Sequence, residues 1–518
     1  MHLITHRLSF LNGTRQRVAL FTLLLLAGAL CSVGAQAFDF NDVAKRARTL
    51  AQKPYKKPDD KLPPALQNLS SQKYREIRMK SEAVLWRAAQ NAFEVELLHP
   101  GDVFTTPVRI HEVTAKGVQE LHFDPGLYDY SNSGFDPRML DKAKLGFSGL
   151  RIRYANGKTT DDLLQLQGAS YMRGRPKNQP YGALARGLAV DTALNSGEKF
   201  PQFVEFWVDR PSNTDRELSF YALLDSPDMT GAYRFVLRPG SETAVDVKAQ
   251  FYFRKAPEKV GIAPLTSMYF YGENQQRPTD DFRPEVHNSD GLAIHGGDGE
   301  WIWRPLSNSK RLLVTSFAQN SPGGFGLVQR DRQFSNYEDL HMRYDNKPSV
   351  WVEPRGKWGE GRIELVQIPS PSEWNDNVVA FWVPDSLPKD NKQALNYEYR
   401  LSWYKDGRRP PTAWATQTRW GHAYRTKPEA NVGLVIDFEG PALKPFEAGA
   451  AIEAVTSADS NGKIVSSRTY YNEATGGWRM DLQVQRSDLA KPVEMRAFLR
   501  KDNTTLSETW SYILPPAN

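Results

Sequence analysis

Cysteine is almost missing: 518 residues hold one, Cys31, and none follows it. If the segment around it is removed, the remaining chain has no disulfide, no thiol nucleophile and no cysteine metal ligand. Apolar runs long enough to span a bilayer are missing as well, since none after Leu30 approaches that length. No polar low-complexity tract occurs, and 13 Trp, 21 Tyr and 25 Phe describe a chain that buries large cores. No Gly-rich phosphate loop, HExxH pair or GxSxG elbow appears, so nucleotide, zinc-protease and hydrolase-elbow chemistries have no support. The nine His are scattered; only His287 and His295 are near neighbours, too weak a pattern for a metal pair.

What the N-terminus does have is an ordered series: Arg7, Arg15 and Arg17, the apolar run Val18 to Leu30, then Ala35-Gln36-Ala37. This is the pattern of a secretory signal peptide over 1–37, with cleavage expected before Phe38. Gln16 separates Arg15 from Arg17, which is not a twin-arginine signal, and Leu30 ahead of Cys31 is a poor lipoprotein context. Removing three Arg and no acid takes 66 basic groups to 63 against 60 acidic ones. A near-neutral surface gives no electrostatic case for nucleic acid.

At 518 residues the chain exceeds one ordinary core, and two domains are expected. The stretch 38–53 places Phe40, Val43, Ala47 and Leu50 at helical spacing behind Asp39 or Asn41, and 70–86 offers a second periodic helix through Tyr74, Ile77 and Leu85. From about residue 92 the texture changes to short apolar or alternating segments such as FEVELLHPG, LRIRYANG and FVEFWVDRP, broken by Gly, Pro, Asn or Asp. That predicts an all-β antiparallel architecture, one large sandwich over 38–403. A Pro-, Gly- and Arg-rich linker at 404–416 leads to about seven strand segments over 417–518, an immunoglobulin-like sandwich without a disulfide.

Three clusters carry chemistry. In 282–305, FRPEVHNSDGLAIHGGDGEWIWRP, Arg283, Glu285, His287, Asp290 and Arg304 stand near Trp301 and Trp303, which strand alternation puts on one face opposite Ile302. Paired Trp beside acids suits a carbohydrate cleft; the same two Trp also suit a sandwich core. The stretch 330–351 adds Asp331, Phe334, Tyr337, Asp339, Arg343, Tyr344 and Asp345 in what reads as a binding segment or an ordinary surface loop. In SPSEWNDNVVAFWVP, 370–384, Asp376 lies between two Asn, behind Trp374 and ahead of an apolar strand. Apolar neighbours would raise its pKa and suit it to protonate a leaving oxygen, while N-D-N is also good turn chemistry.

The segments FDFNDVAKRA, GALARGLAVDTA, FVEFWVDRP, YALLDSP, APLTSMYFYG, the 282–305 block, NDNVVAFW and LSETWSYILP together resemble the periplasmic glucan biosynthesis proteins of the OpgG/OpgD (MdoG/MdoD) family over essentially the whole exported chain. The plain export signal is closer to the G branch. The resemblance implies a mutarotase-like large sandwich joined to an immunoglobulin-like domain, a periplasmic location, and a role in making osmoregulated β-1,2-glucans that emerge from a membrane glucan glucosyltransferase. It implies no cofactor and no metal. It also implies kinship with inverting endo-β-1,2-glucanases, in which Asp376 corresponds to the general acid and the base is an Asp of an H-D-S-D/N-G turn. Here that turn reads His287-Asn288-Ser289-Asp290-Gly291, so the base is Asp290 or is replaced by Asn288, whose amide cannot take up a proton as a carboxylate does. Two readings stay open. One is a glycoside hydrolase of low turnover using Asp376 and Asp290, with Arg283, Trp301, Trp303, Tyr344 and Asn288 as substrate-binding residues. The other is a non-catalytic glucan-binding module that assists release or branching.

Overall fold

The computed structural model describes residues 38–517 apart from 90, 141–144, 157–158, 389–392 and 422–430. The expected signal peptide, with Cys31, lies outside the described residues. The first element is the expected helix, Phe40–Ala51. Asp39 caps it by accepting from the backbone N–H groups of Asn41 and Asp42, and the Asp42 carboxylate accepts from the Asp39 N–H at 2.9 Å, a reciprocal capping box. Its buried face, Val43, Ala44 and Ala47, packs on Trp207, Tyr221 and Tyr252.

The second helix expected over 70–86 is a correction. Only Ser71–Tyr74 is α-helical, with a single 3-10 turn at Ser81–Ala83; between them Arg78–Met79 pairs with Tyr128–Asp129 as extended chain. Ile77 is claimed by a cluster with Leu62, Leu66 and Tyr128, while Trp86 enters the main core. One helix face cannot serve both, and tertiary burial outweighs a weak local periodicity.

The rest of the chain is nearly all β. One sheet of ten strands runs, in spatial order, through Phe93–Leu98, Gly149–Asn156, Thr159–Gln167, Tyr171–Gly174, Leu184–Arg186, Val260–Ser267, Val378–Pro384, Glu360–Gln367 and Leu313–Asn320, with Leu188–Val190 also on Val260–Ser267. It faces a sheet of fifteen strands whose central members include Thr243–Phe253, Leu395–Tyr404, Ser349–Arg355 and Gly291–His295. Strand alternation puts Phe93, Val95, Ile152, Leu164 and Trp382 of the first sheet against Phe203, Phe220, Phe235, Val247 and Trp403 of the second, in one continuous core.

The C-terminal strands make a second sandwich that shares a sheet with the first. Glu453–Ala458, Val493–Lys501 and Thr509–Leu514 extend the fifteen-stranded sheet, because Thr509–Leu514 pairs in parallel with Trp301–Pro305. Across from them, Trp414–Gly421, Asn431–Glu439, Gly477–Arg486 and Gly462–Asn472 form a four-stranded sheet. Their common core contains Leu434, Ile436, Trp478, Met480 and Trp510, but also Trp303 and Trp351 from the large sandwich. Arg330 and Glu508 form a buried bidentate pair at 2.6 and 2.9 Å across this junction, with the guanidinium 3.6 Å from the Trp303 ring centre. Among the described residues no helix is long and apolar enough to cross a membrane.

Candidate active site

The residues of the N-D-N motif have separate tasks. Asn377 is buried, and its side-chain amide pairs with both backbone groups of Tyr269: the Tyr269 N–H donates to Oδ1 at 2.8 Å and Nδ2 donates to the Tyr269 carbonyl at 2.9 Å. Asn375 Nδ2 reaches Ser370 Oγ at 3.4 Å, closing the loop on itself. Asp376, between them, is exposed to solvent at the tip of the loop that precedes Val378–Pro384. Desolvation by the protein nearby raises its pKa above the ordinary carboxylate range, against the opposing pull of Arg173 and Lys347. Lys347 is itself buried; loss of water brings its ammonium down to about 8, and its Nζ donates to the Tyr181 carbonyl at 2.9 Å.

Three loops meet beside Asp376, and Arg283 joins them. Its guanidinium donates to Asp281 at 2.8 and 3.0 Å, to Asp339 at 3.0 Å, and pairs with Glu373 at 2.7 Å. The Tyr344 hydroxyl donates to the same Glu373 carboxylate at 3.4 Å, and the Tyr344 ring lies under Lys347. Arg283, Tyr344 and Asp376 thus belong to one neighbourhood, with the first two setting the loop that carries the third. Two residues before Asp376, Trp374 is 77% exposed, and Phe282, beside Arg283, is 71% exposed.

The turn 287–291 forms a second centre, linked to the first through Tyr269, whose ring stacks on His287 at 5.0 Å. His287 is fully buried, with Nε2 2.9 Å from Glu285, and with Nδ1 3.1 Å from Gln329 Oε1 and 3.3 Å from Asp290. Burial disfavours its charge, but the Glu285 hydrogen bond and the nearby Asp290 prevail and bring it up to about 9. Asp290 Oδ2 accepts from the backbone N–H groups of Arg330 and Asp331. Burial raises Asp290 despite the charge of His287. The Asn288 N–H donates to the Met268 carbonyl at 2.8 Å, and its side-chain Oδ1 is buried without a hydrogen-bond partner.

Glu273, Glu285, Asp290 and Asp331 converge with His287 on a cavity of about 30 Å³ closed by Trp303 and Thr416–Thr418. It has room for about one water molecule. Glu273 is pushed up to about 8, chiefly by burial, with Arg419 opposing and Glu285 adding. Trp301 and Trp303 do share one face, opposite Ile302, but it is the face that meets the C-terminal sandwich. Trp303 is buried there, and Trp301 is stacked between His295 at 4.6 Å and Trp351 at 5.8 Å. Trp303 buttresses the Asp290 turn from behind: a Cβ on Gly291 would lie 2.4 Å from its ring.

Residues that sequence reading did not single out also belong here: Arg173 and Lys347 beside Asp376, and Glu273 in the acidic cavity. Arg173 comes from the distant strand Tyr171–Gly174, Lys347 from the end of the 330–351 stretch and Glu273 from the loop after Tyr269–Tyr271, and no spacing ties any of them to its partner.

A family model described as periplasmic glucan biosynthesis protein, MdoG, matches residues 38–514. The chain is 54% identical over 504 residues to the protein of Ralstonia nicotianae named glucans biosynthesis protein G, covering 95% of this chain and 99% of that one. It is 45% identical over 516 residues to the protein of the same name from Pectobacterium atrosepticum, covering 97% and 98%. By this match over nearly its whole length, the chain belongs to the MdoG family of periplasmic glucan biosynthesis proteins.

Proposed function

We propose that this protein works in the periplasm on the β-1,2-linked backbone of nascent glucan, as an inverting endo-β-1,2-glucanase of low turnover. The observation that carries the reading is Asp376: a solvent-reachable carboxyl whose pKa its surroundings raise, on a loop that Asn377 and Arg283 fix in place. In the protonated form it donates to the glycosidic oxygen as the bond breaks, while water attacks the opposite face of the sugar. The proton of that water passes by a relay to the Asp290 carboxylate, which the charged His287, itself held by Glu285, orients. Arg283 and Tyr344 position the acid loop, and Asn288 offers its unpartnered carbonyl oxygen to substrate or to the relay.

One observation favours the second reading, a glucan-binding module. Asp290 is engaged by two backbone N–H groups and a histidine, at a cavity too small for a sugar, and the position after His287 is an amide. A carboxylate so committed is a slow base. The test is incubation with linear β-1,2-glucan, following released oligosaccharides beside Asp376→Asn. Cleavage that vanishes in the variant, with the new reducing end appearing first as the α-anomer by NMR, supports the hydrolase. Binding without cleavage in both proteins supports the module, and Asn288→Asp then tests whether a base has been lost.

A further inference from the structure

A polar row on the outer face of the ten-stranded sheet ends at Arg173, whose charge reaches Asp376. The register pairs Glu96 with Arg151, Arg151 with Gln165, and Gln165 with Arg173 across four adjacent strands. Directly paired residues project to the same side of a sheet, and adjacent strands lie about 4.8 Å apart, so the row spans about 14 Å, longer than one sugar ring. All four residues line a cavity of about 670 Å³, whose lining also includes Tyr74 and Phe104.

The row is hydrogen-bonded at one end and open at the other. Arg151 donates to Glu96 at 3.0 Å and to Gln165 at 3.2 and 3.3 Å. Arg173, the member nearest Asp376, has a buried Nη1 without a hydrogen-bond partner, and its charge acts on the Asp376 carboxyl. A buried guanidinium N–H left unpaired costs stability unless a ligand completes it. The remaining features, a ladder of donors and acceptors in a cavity that aromatic rings also line, match a chain of hydroxyl-bearing rings with apolar faces.

We propose that this row is the arm along which the glucan runs to one side of Asp376, crossing the strands from Arg173 toward Glu96, with Arg173 and Gln165 setting the chain length the site prefers. This rests on the glucan reading above and adds where the polymer lies. Arg173 binds the glucosyl unit next to the acid; Gln165 is reached only by longer chains.

The test is calorimetric titration of the full protein, carrying Asp376→Asn to prevent turnover, with linear β-1,2-gluco-oligosaccharides of increasing length. Affinity is expected to rise with length. Adding Gln165→Ala should abolish the gain made by long chains and leave short ones unchanged, whereas Arg173→Gln should weaken every length by about tenfold to a hundredfold, with partial rescue by Arg173→Lys. Thermal unfolding checks each variant, and if Arg173→Gln is unfolded, the length profile of Gln165→Ala decides alone. Unchanged profiles in the folded variants overturn the row while the glucan reading stands. If the parent protein binds no oligosaccharide of any length, the glucan reading itself fails, and the row with it.

Discussion

At the scale of single residues, Asp376 and Arg283 have opposite characters. Asp376 gains its chemistry from lacking a close ion pair, and Arg283 gains its role from having three. Asp376→Asn is therefore expected to lower glucan cleavage by at least about a hundredfold, the ordinary loss of a general acid, while affinity changes little. The rise of its pKa has a pH consequence: the active, protonated form persists above the ordinary carboxylate range, and the rate falls as pH rises past it. A pH–rate profile with that falling limb checks the assignment. Arg283→Ala strands Asp281, Asp339 and Glu373 close together with no shared cation. Loss of about 2–4 kcal/mol is expected, seen as a lower midpoint in chemical denaturation together with faster proteolysis of the 330–347 and 370–377 loops.

At the scale of elements, most strands were legible because period-two patterning and turn residues are local signals. The segments FEVELLHPG, LRIRYANG and FVEFWVDRP fall on the strands Phe93–Leu98, Gly149–Asn156 and Gln202–Asp209. The 70–86 helix was misread because its apolar residues serve two separate cores, which no window of sequence reveals. The Trp301 and Trp303 face was read correctly, but not what covers it, since the covering strands lie some two hundred residues later. The same limit hid Arg173: its alternation is visible, its nearness to Asp376 is a product of the fold. The junction itself makes a prediction. Glu508 and Arg330 are both buried, so Glu508→Ala leaves an unpaired guanidinium against Trp303 and should cost about 3–5 kcal/mol. Replacing both partners by apolar residues should cost less; a double-mutant cycle in urea measures the difference.

At the scale of the molecule, the acidic cavity couples the two sandwiches to pH. Glu273, ordinarily near 4.5, is raised to about 8, and His287, ordinarily near 6.5, is raised to about 9. Both hold a proton more tightly when folded than when unfolded. Their stabilisation is full below the unfolded values and is lost as pH rises through the folded ones. The melting temperature should therefore fall as pH rises from about 4.5 to about 9, Glu273 contributing up to about 8 and His287 from about 6.5, and Glu273→Gln should remove the part of the fall that lies below about pH 6.5. A variant with an unchanged slope would place the proton elsewhere.

The parallel pairing of Thr509–Leu514 with Trp301–Pro305 bears on how the chain is assembled in time. That strand lies inside the sheet, between Val493–Lys501 and Trp301–Pro305. A polypeptide delivered from its N-terminus first can form most of the large sandwich early, yet the edge at Trp301–Pro305 stays bare until nearly the last residues arrive. Until then the chain presents an unpaired, Trp-bearing edge that invites the wrong partners. The closing step of folding is also the step that covers Trp303 behind the candidate base turn, so an incomplete chain is an unfinished site.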